Sequence, residues 1–567
     1  MSSNENFRAQ PPAPLQPRPI TIPSAHETTL SNGLKVLVVE DSRLPLVSFR
    51  LGLRVGGAFD PPELPGLTDL LAGLLPEGTT SKTSRQIADE VARMGASLNA
   101  GANSDYTIVA GSALKQFRDP VLGLMAEIVL QPSFPENEVE LAKQNTKESL
   151  RQQRAQPSFL ATEMVSRVMF GEHPYSIVAP TPESIELVKR DHFVQFHKAK
   201  FAPNNSVLIV VGDVNADEIL SRVESLFSTW ATEQATDANF PAPPVRTKRG
   251  TYIVDRPGSA QSNIVIANSG ITRTDPDYFP MLLMHTVLGA TASSRLFMNL
   301  REEKGYTYGA YSNLDARRSA GTFRVTAEVR TPVTGDSLKE FFYELDRIRN
   351  EHVSEKEIRD AKSYLTGVFP IRLETQEGLI DQLVQIKMLN LPNNYLETYR
   401  DYVQQVTIDD IQRVANKYIR PDKVATIIVG DGSAVLDQIT PYSTDIEAYS
   451  TAGKRKDLSA GTSSAAVDIA GAWSIDIETP FGQTIPATLT VNRDESGYRA
   501  SIESEMGQAD LGRVQLEDDS VHVSTSLEMD GHSVPIEISA HFAGEHTQGT
   551  VKMENSPALS FTGNKTS

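Results

Sequence analysis

The chain has no cysteine in 567 residues, which excludes disulfides, thiolate metal sites and a cysteine nucleophile at once. It also has no run of about 18 apolar residues, the length a membrane-spanning helix needs. Basic residues are outnumbered, 54 Lys and Arg against 72 Asp and Glu, for a formal net charge of −18. So acidic a chain, without a basic cluster, is not a general partner for nucleic acid. Met1–Gln10 has no apolar segment of the kind a secretory signal carries. As written, the chain is expected in the cytoplasm, or in the periplasm if a native signal has been removed. What is present is ordinary for a globular protein, 39% hydrophobic and 22% charged. The length exceeds what one core organises, so several domains are expected.

Taken in order, residues 1–27 are proline-rich and read as an extended arm without a core of its own. From Thr28 the pattern turns to strands, with Asn32-Gly33 as a tight turn. Val47, Phe49, Leu51, Leu53 and Val55 alternate with Ser48, Arg50, Gly52 and Arg54, which predicts a half-buried strand. Helices are expected over 66–76, over Ser84–Met94 with Gly95 as its stop, from Asp119-Pro120 to about Leu130, and over Pro135–Arg154. Ser97–Ala100, Tyr106–Ala110 and Ser206–Val211 read as strands.

The second half then echoes the first. Asp275-Pro276 repeats Asp60-Pro61 at an offset of 215 residues, Glu355–Lys362 repeats Glu136–Lys143 at 219, and Ile427–Asp431 repeats Ile209–Asp213 at 218. Three echoes in order at nearly one offset indicate an internal duplication. The expected fold is α+β, with one lobe over 28–235, a proline-bearing linker over 236–250 and a similar lobe over 251–445. A Ser/Ala/Gly-rich linker follows over 446–469. Beyond it, Trp473, Ile475 and Ile477 alternate with polar residues, as do Ala487, Leu489 and Val491, and Asp530-Gly531 is a hairpin signal. Residues 470–567 read as a small all-β domain, a sandwich or a barrel.

The chemistry-bearing stretch is Gly66–Thr79. On a helix, Asp69, Ala72 and Gly73 share one face at i, i+3 and i+4. An inverted zinc motif would place His, Glu and His there, two imidazoles for the metal and a carboxylate to activate water. This face offers one carboxylate, one methyl group and one hydrogen. The stretch resembles the pitrilysin/insulinase family of zinc metallopeptidases, whose active members read like Gly-Leu-Ala-His-Phe-Leu-Glu-His-Met-Leu-Phe-Lys-Gly-Thr. Gly66, Leu67, Leu71, Leu75, Gly78 and Thr79 match in register, and the three functional positions do not.

The resemblance implies two similar α/β-sandwich lobes over about 28–445 and leaves the β domain outside it. It also implies a third ligand, a glutamate downstream, whose position falls on Ser149, with Ala142 at the companion position. Glu148 lies one residue away, about 100° around a helix. The histidines supply no substitute. His192 and His197 are five apart and off a common face, and His541 and His546 lack an accompanying acid pattern.

Leu288–Tyr308 carries a second resemblance, through Ser-Arg-Leu-Phe and Leu-Arg-Glu-x-x-Gly-x-x-Tyr. Ser293 or Ser294 can cap a helix that carries Leu296, Phe297 and Leu300 inward and ends at Gly305. Tyr306 and Tyr308 would follow on one face of a strand. From the residues alone, Arg301 reads as a helix-end arginine paired with Glu302 or Glu303. The family resemblance instead makes Arg301 and Tyr308 the pair that reaches the substrate at the zinc, where guanidinium and phenol can donate to an oxyanion. It therefore implies a subunit without zinc of its own, contributing Arg301 and Tyr308 to a zinc-bearing paralogous partner that cleaves peptides. The alternative is a structural or peptide-binding protein of the same fold.

Overall fold

The computed structural model describes residues 22–230, 239–443, 445–458, 469–478, 484–494, 497–505, 507–514, 516–517, 520–529, 532–553 and 558–566. The prolines before Ile22 and the Asp530-Gly531 signal lie outside them. The first sheet is built from β1 (Ala25–Thr29), β2 (Lys35–Glu40), β3 (Leu46–Leu53), β4 (Ser97–Ala102), β5 (Thr107–Leu114) and β6 (Ser206–Gly212), in the order β1-β2-β6-β3-β5-β4. The second is built from β7 (Gly250–Asp255), β8 (Gln261–Ser269), β9 (Thr307–Ala316), β10 (Gly321–Arg330), β11 (Ala425–Gly430), β12 (Ile446–Tyr449) and β13 (Arg455–Lys456), in the order β13-β12-β7-β11-β8-β10-β9.

The runs β2-β6-β3-β5-β4 and β7-β11-β8-β10-β9 are the same path. In each, the first two strands of the run pair in parallel and the remaining pairs are antiparallel. The duplication read from the sequence is therefore a duplication of topology. The stretch 446–456, read as the start of a linker, instead carries β12 and β13. Ile446–Tyr449 pairs in parallel with β7 and extends the second sheet. The chain divides into two compact units between Lys456 and Asp457, and both lobes fall in the first.

The first lobe carries α1 (Leu67–Leu74), α2 (Ser84–Met94), α3 (Arg118–Leu130), α4 (Glu136–Arg154) and α5 (Pro157–Phe170). Thr83 and Gln86 form the capping box of α2, and Gly95 closes it at φ +58°. α3 begins one residue earlier than its Asp-Pro signal. Asp119 does not cap it but pairs with Arg118 at 2.9 Å.

Each sheet is closed on one face by a helix of the other lobe. From α5, Leu160, Met164, Val165 and Met169 pack on Val254, Val265, Ala267, Ile427 and Val429 of the second sheet. In return, Leu379, Ile380, Leu383 and Val384 of helix Gln376–Met388 pack on Leu37, Val39, Val207, Ile209 and Val211 of the first. Four buried side chains per helix, at about 1.5–3 kcal/mol each, match the net stability of a whole domain. Strand β3 is consequently covered on both faces. Its polar residues, read as facing water, meet the crossing helix: Ser48 donates to Glu377 at 2.6 Å and Arg50 pairs with Asp381 at 3.3 Å. At Gly52 a Cβ would come within 2.9 Å of Met388.

Among the described residues every strand pair of the second unit is antiparallel. β14 (Gly471–Glu478), β15 (Thr484–Asp494), β16 (Gly497–Ser504), β17 (Gly507–Val514), β18 (Leu516–Glu517), β19 (Ser520–Met529), β20 (His532–Ala543), β21 (His546–Met553) and β22 (Leu559–Lys565) run in the order β17-β16-β15-β14-β22-β21-β20-β19-β18. Gln508 of β17 also pairs with Glu528 of β19, and this closes the sheet into a barrel. Trp473, Ile475, Leu489, Ile502, Ile538, Phe542 and Phe561 fill the interior, with Trp473 edge-on to Phe542 at 4.9 Å. Trp473 Nε1 donates to Ile469 O at 2.9 Å.

Candidate functional site

Helix α1 starts on Gly66, at φ +88°, where a Cβ would lie 2.9 Å from the Pro180 ring. No residue at that cap supplies a side chain to the helix N-terminus. Asp60 does so from a distance, accepting the Gly66 N–H at 2.8 Å, the Thr68 N–H at 2.9 Å and the Thr68 hydroxyl. Burial pushes the Asp60 carboxyl up to about 6, although these donors pull the other way. Sequence reasoning saw Asp60-Pro61 only as one half of an echo and missed this role.

Held in this way, α1 and α4 flank a cleft of about 590 Å³ whose lining includes Asp60, Asp69, Ala102, Asn103, Thr146, Ser149, Gln153 and Glu172. Asp69 is exposed on the cleft wall. Partial desolvation by the cleft walls raises its carboxyl above the usual range, against the opposing effect of the Ala102 N–H. Ala72 is fully buried. Gly73 is exposed, and a Cβ there would meet nothing within 4 Å. Ser149 faces the cleft and accepts from Gln153 Nε2 at 3.1 Å. Glu148 is turned away and pairs with Arg151 at 3.3 Å. The structure thus brings Asp69 and Ser149 to one cleft, and Glu148 is not among the residues that line it.

These residues do not fit a zinc ion. The ligand positions offer a carboxylate, a hydrogen and a hydroxyl, with no imidazole. Among the described residues no group of three His, Cys, Asp or Glu side chains is placed to hold a metal. His192 Nδ1 accepts from the Lys189 N–H at 3.2 Å, and His197 Nε2 contacts Val129 O at 2.8 Å. His546 Nδ1 lies 2.5 Å from Asn564 Oδ1.

Arg301 and Tyr308 belong to the second lobe and are not among the lining residues of this cleft. Arg301 sits in a π-helical turn, Met298–Glu303, a form enriched at functional sites. Its guanidinium lies 4.7 Å from the centre of the Phe297 ring and 3.5 Å from Glu302. Tyr308 is on β9, the edge strand of its sheet, and is 92% exposed. The expectation that Tyr306 and Tyr308 share a strand face does not hold. The strand starts at Thr307, and a bulge sets Tyr308 and Gly309 together against Glu328 of β10. A bulge breaks alternation and re-aims the side chain it carries. Leu296, Phe297 and Leu300 are buried, as their spacing predicts.

Two family models match the chain: "Insulinase (Peptidase family M16)" over residues 35–182 and "Peptidase M16 inactive domain" over 188–365. The second does not include α1, so it bears on none of Asp69, Ala72, Gly73 and Ser149. An uncharacterised zinc protease of Bacillus subtilis is 21% identical over 411 residues, covering 71% of this chain and 98% of its own length. One from Streptomyces coelicolor is 24% identical, covering 70% and 87%. The crystal structure of a peptidase M16 inactive domain from Pseudomonas fluorescens is 27% identical, with a TM-score of 0.68, over 72% of this chain and 98% of that one. A protease from Helicobacter pylori shares the fold at 20% identity and a TM-score of 0.67, over 72% and 100%.

Proposed function

Because the chain belongs to the insulinase family, peptidase family M16, we propose that it is the zinc-less subunit of a two-chain peptidase. In this reading it contributes Arg301 and Tyr308 to an active site whose zinc is held by a paralogous partner. The observation that carries the proposal is Tyr308. A phenol 92% exposed on an edge strand, set there by a bulge and with no hydrogen-bond partner among the described residues, has no role in holding this chain together.

Arg301 is near it in sequence and keeps its donors accessible while its plane rests on Phe297. Both groups are hydrogen-bond donors suited to the oxygen of a carbonyl under attack, where charge develops. The cleft between α1 and α4 lacks the donors to activate water through a metal, so this chain alone should not hydrolyse peptides.

The test is reconstitution with a zinc-motif paralogue and a peptide substrate. Arg301→Ala and Tyr308→Phe should each lower turnover by the mixed complex by on the order of 10²–10³, with assembly and zinc content unchanged. Full activity in both variants would refute the reading and favour a structural or peptide-binding role.

A further inference from the structure

Thr307 has its hydroxyl at the centre of the bulge that carries Tyr308. Ladder pairs run Ala327 to Ala310 and then Val329 to Thr307, so Glu328 alone faces both Tyr308 and Gly309. Such a site leaves backbone groups without ladder partners. Thr307 Oγ1 lies 2.7 Å from Glu328 O and 3.0 Å from Gly309 O, and the Gly309 N–H donates to it at 3.1 Å. A hydroxyl has one hydrogen and two lone pairs. It can therefore donate to the Glu328 carbonyl while accepting from Gly309, which supplies both strands of the bulge with a partner.

The other side of the bulge is set by a ring. A Cβ at Gly309 would come within 2.6 Å of Tyr311. Tyr311 packs on Phe297 at 5.6 Å, and Phe297 carries the Arg301 guanidinium at 4.7 Å. One aromatic platform thus runs from beneath Arg301 to the bulge that aims Tyr308.

We propose that Thr307 is a positioning residue for the Tyr308 phenol, its side-chain hydroxyl holding the two-against-one register that points Tyr308 away from its own sheet. The inference rests on the functional reading above only for its consequence in catalysis. Its geometric content is separate. Without the hydroxyl, Gly309 N–H and Glu328 O each lose a hydrogen bond and the bulge can shift along the strand. A shift of one residue reverses which face each side chain takes.

The experiment uses the full chain labelled with 3-fluorotyrosine, the Tyr308 fluorine signal being identified by its loss in Tyr308→Phe. Thr307→Val, which keeps the shape and deletes the hydroxyl, should move or broaden that signal, and Thr307→Ser should leave it in place. An unmoved signal in Thr307→Val overturns the inference whatever the activity shows. In the mixed complex, Thr307→Val should lower kcat on the order of 10- to 100-fold with little change in KM, Thr307→Ser should restore it, and Thr307→Val should add nothing to Tyr308→Phe. Equal added loss in the Tyr308→Phe background would mark Thr307 as merely structural and overturn the inference. A fully active Tyr308→Phe together with a moved signal would instead leave the positioning intact and remove the catalytic reading.

Discussion

Ser319 of the second lobe donates its hydroxyl hydrogen to the phenol oxygen of Tyr175 in the first, at 2.8 Å. Tyr175 in turn donates to the buried carboxylate of Asp105, whose other oxygen accepts the Arg318 N–H at 3.2 Å. His173 Nδ1 accepts the Tyr175 N–H at 3.1 Å, so the ring proton is on Nε2, which faces Ser319 Oγ at 3.3 Å. An imidazole that already carries its proton on that nitrogen cannot take one from Ser319, so the Ser319–His173 contact is not a nucleophile and its base. The network is a latch. It ties the hairpin between β9 and β10 to the segments behind the α1–α4 cleft, with Arg317 lying over the Tyr175 ring at 4.8 Å.

Tyr175→Phe should loosen this latch. Asp105 would lose a donor while staying buried, which costs about 1–3 kcal/mol. Hydrogen exchange should rise first at residues 103–106 and 317–320, with the barrel unchanged. Unaltered protection at both segments would show that the contact does not hold the lobes.

Asp60 should make the first unit less stable as pH rises. Its folded carboxyl titrates at about 6, above the unfolded value near 3.8, so the folded state holds the proton more tightly. The associated stabilisation is full below about pH 4 and is lost as pH rises through about 6, by at most about 3 kcal/mol. Asp60→Asn removes the titration. The stability of the wild type relative to Asp60→Asn, from denaturant unfolding at several pH values, should therefore fall across this window. A difference independent of pH would contradict the assignment.

The cleft should accept zinc once its donors are restored. Asp69 and Gly73 are one helical turn apart on the exposed side of α1, a Cβ at Gly73 meets nothing within 4 Å, and Ser149 lines the same cleft. The triple variant Asp69→His, Gly73→His, Ser149→Glu should bind zinc at one ion per chain by metal analysis, and the wild type none at this site. Stoichiometric zinc in the wild type, abolished by Asp69→Ala, would overturn the account of the cleft.

The two lobes should not fold apart. Separately produced 22–230 and 239–458 would each expose a sheet face normally covered by the other's helix, together with its own displaced helix. Each alone should lack cooperative unfolding, and mixing should restore it. Independent cooperative unfolding of either half would show that the exchanged helices add little.

Much of this was legible from residue order. The three echoes near 215–219 residues correspond to two sheets of one topology, and the i, i+3, i+4 spacing on α1 was enough to see that Asp69, Ala72 and Gly73 put no imidazole on that face. Those features are local, or are copies of local features, and the side-chain period of a helix or strand is written directly in the sequence. The barrel in place of a sandwich was not legible. Closure rests on the pairing of β17 with β19, and alternation along a strand does not say which neighbour it takes.

By itself, then, the sequence determined which donors α1 lacks, that the lobes are duplicated, and that an alternating β unit follows them. Tertiary structure alone decided the rest. Ser48 and Arg50 read as a water-facing row, and only the arrival of Glu377 and Asp381 from more than 300 residues away makes them an interface. Glu148 and Ser149 are adjacent in the chain, and only the rotation of α4 against α1 puts Ser149, not Glu148, on the cleft. Tyr306 and Tyr308 should share a strand face, but β9 begins only at Thr307 and Tyr308 itself sits in the bulge opposite Glu328. In each case the outcome depends on a partner distant in the chain, and a contact of that kind has no period for the sequence to display.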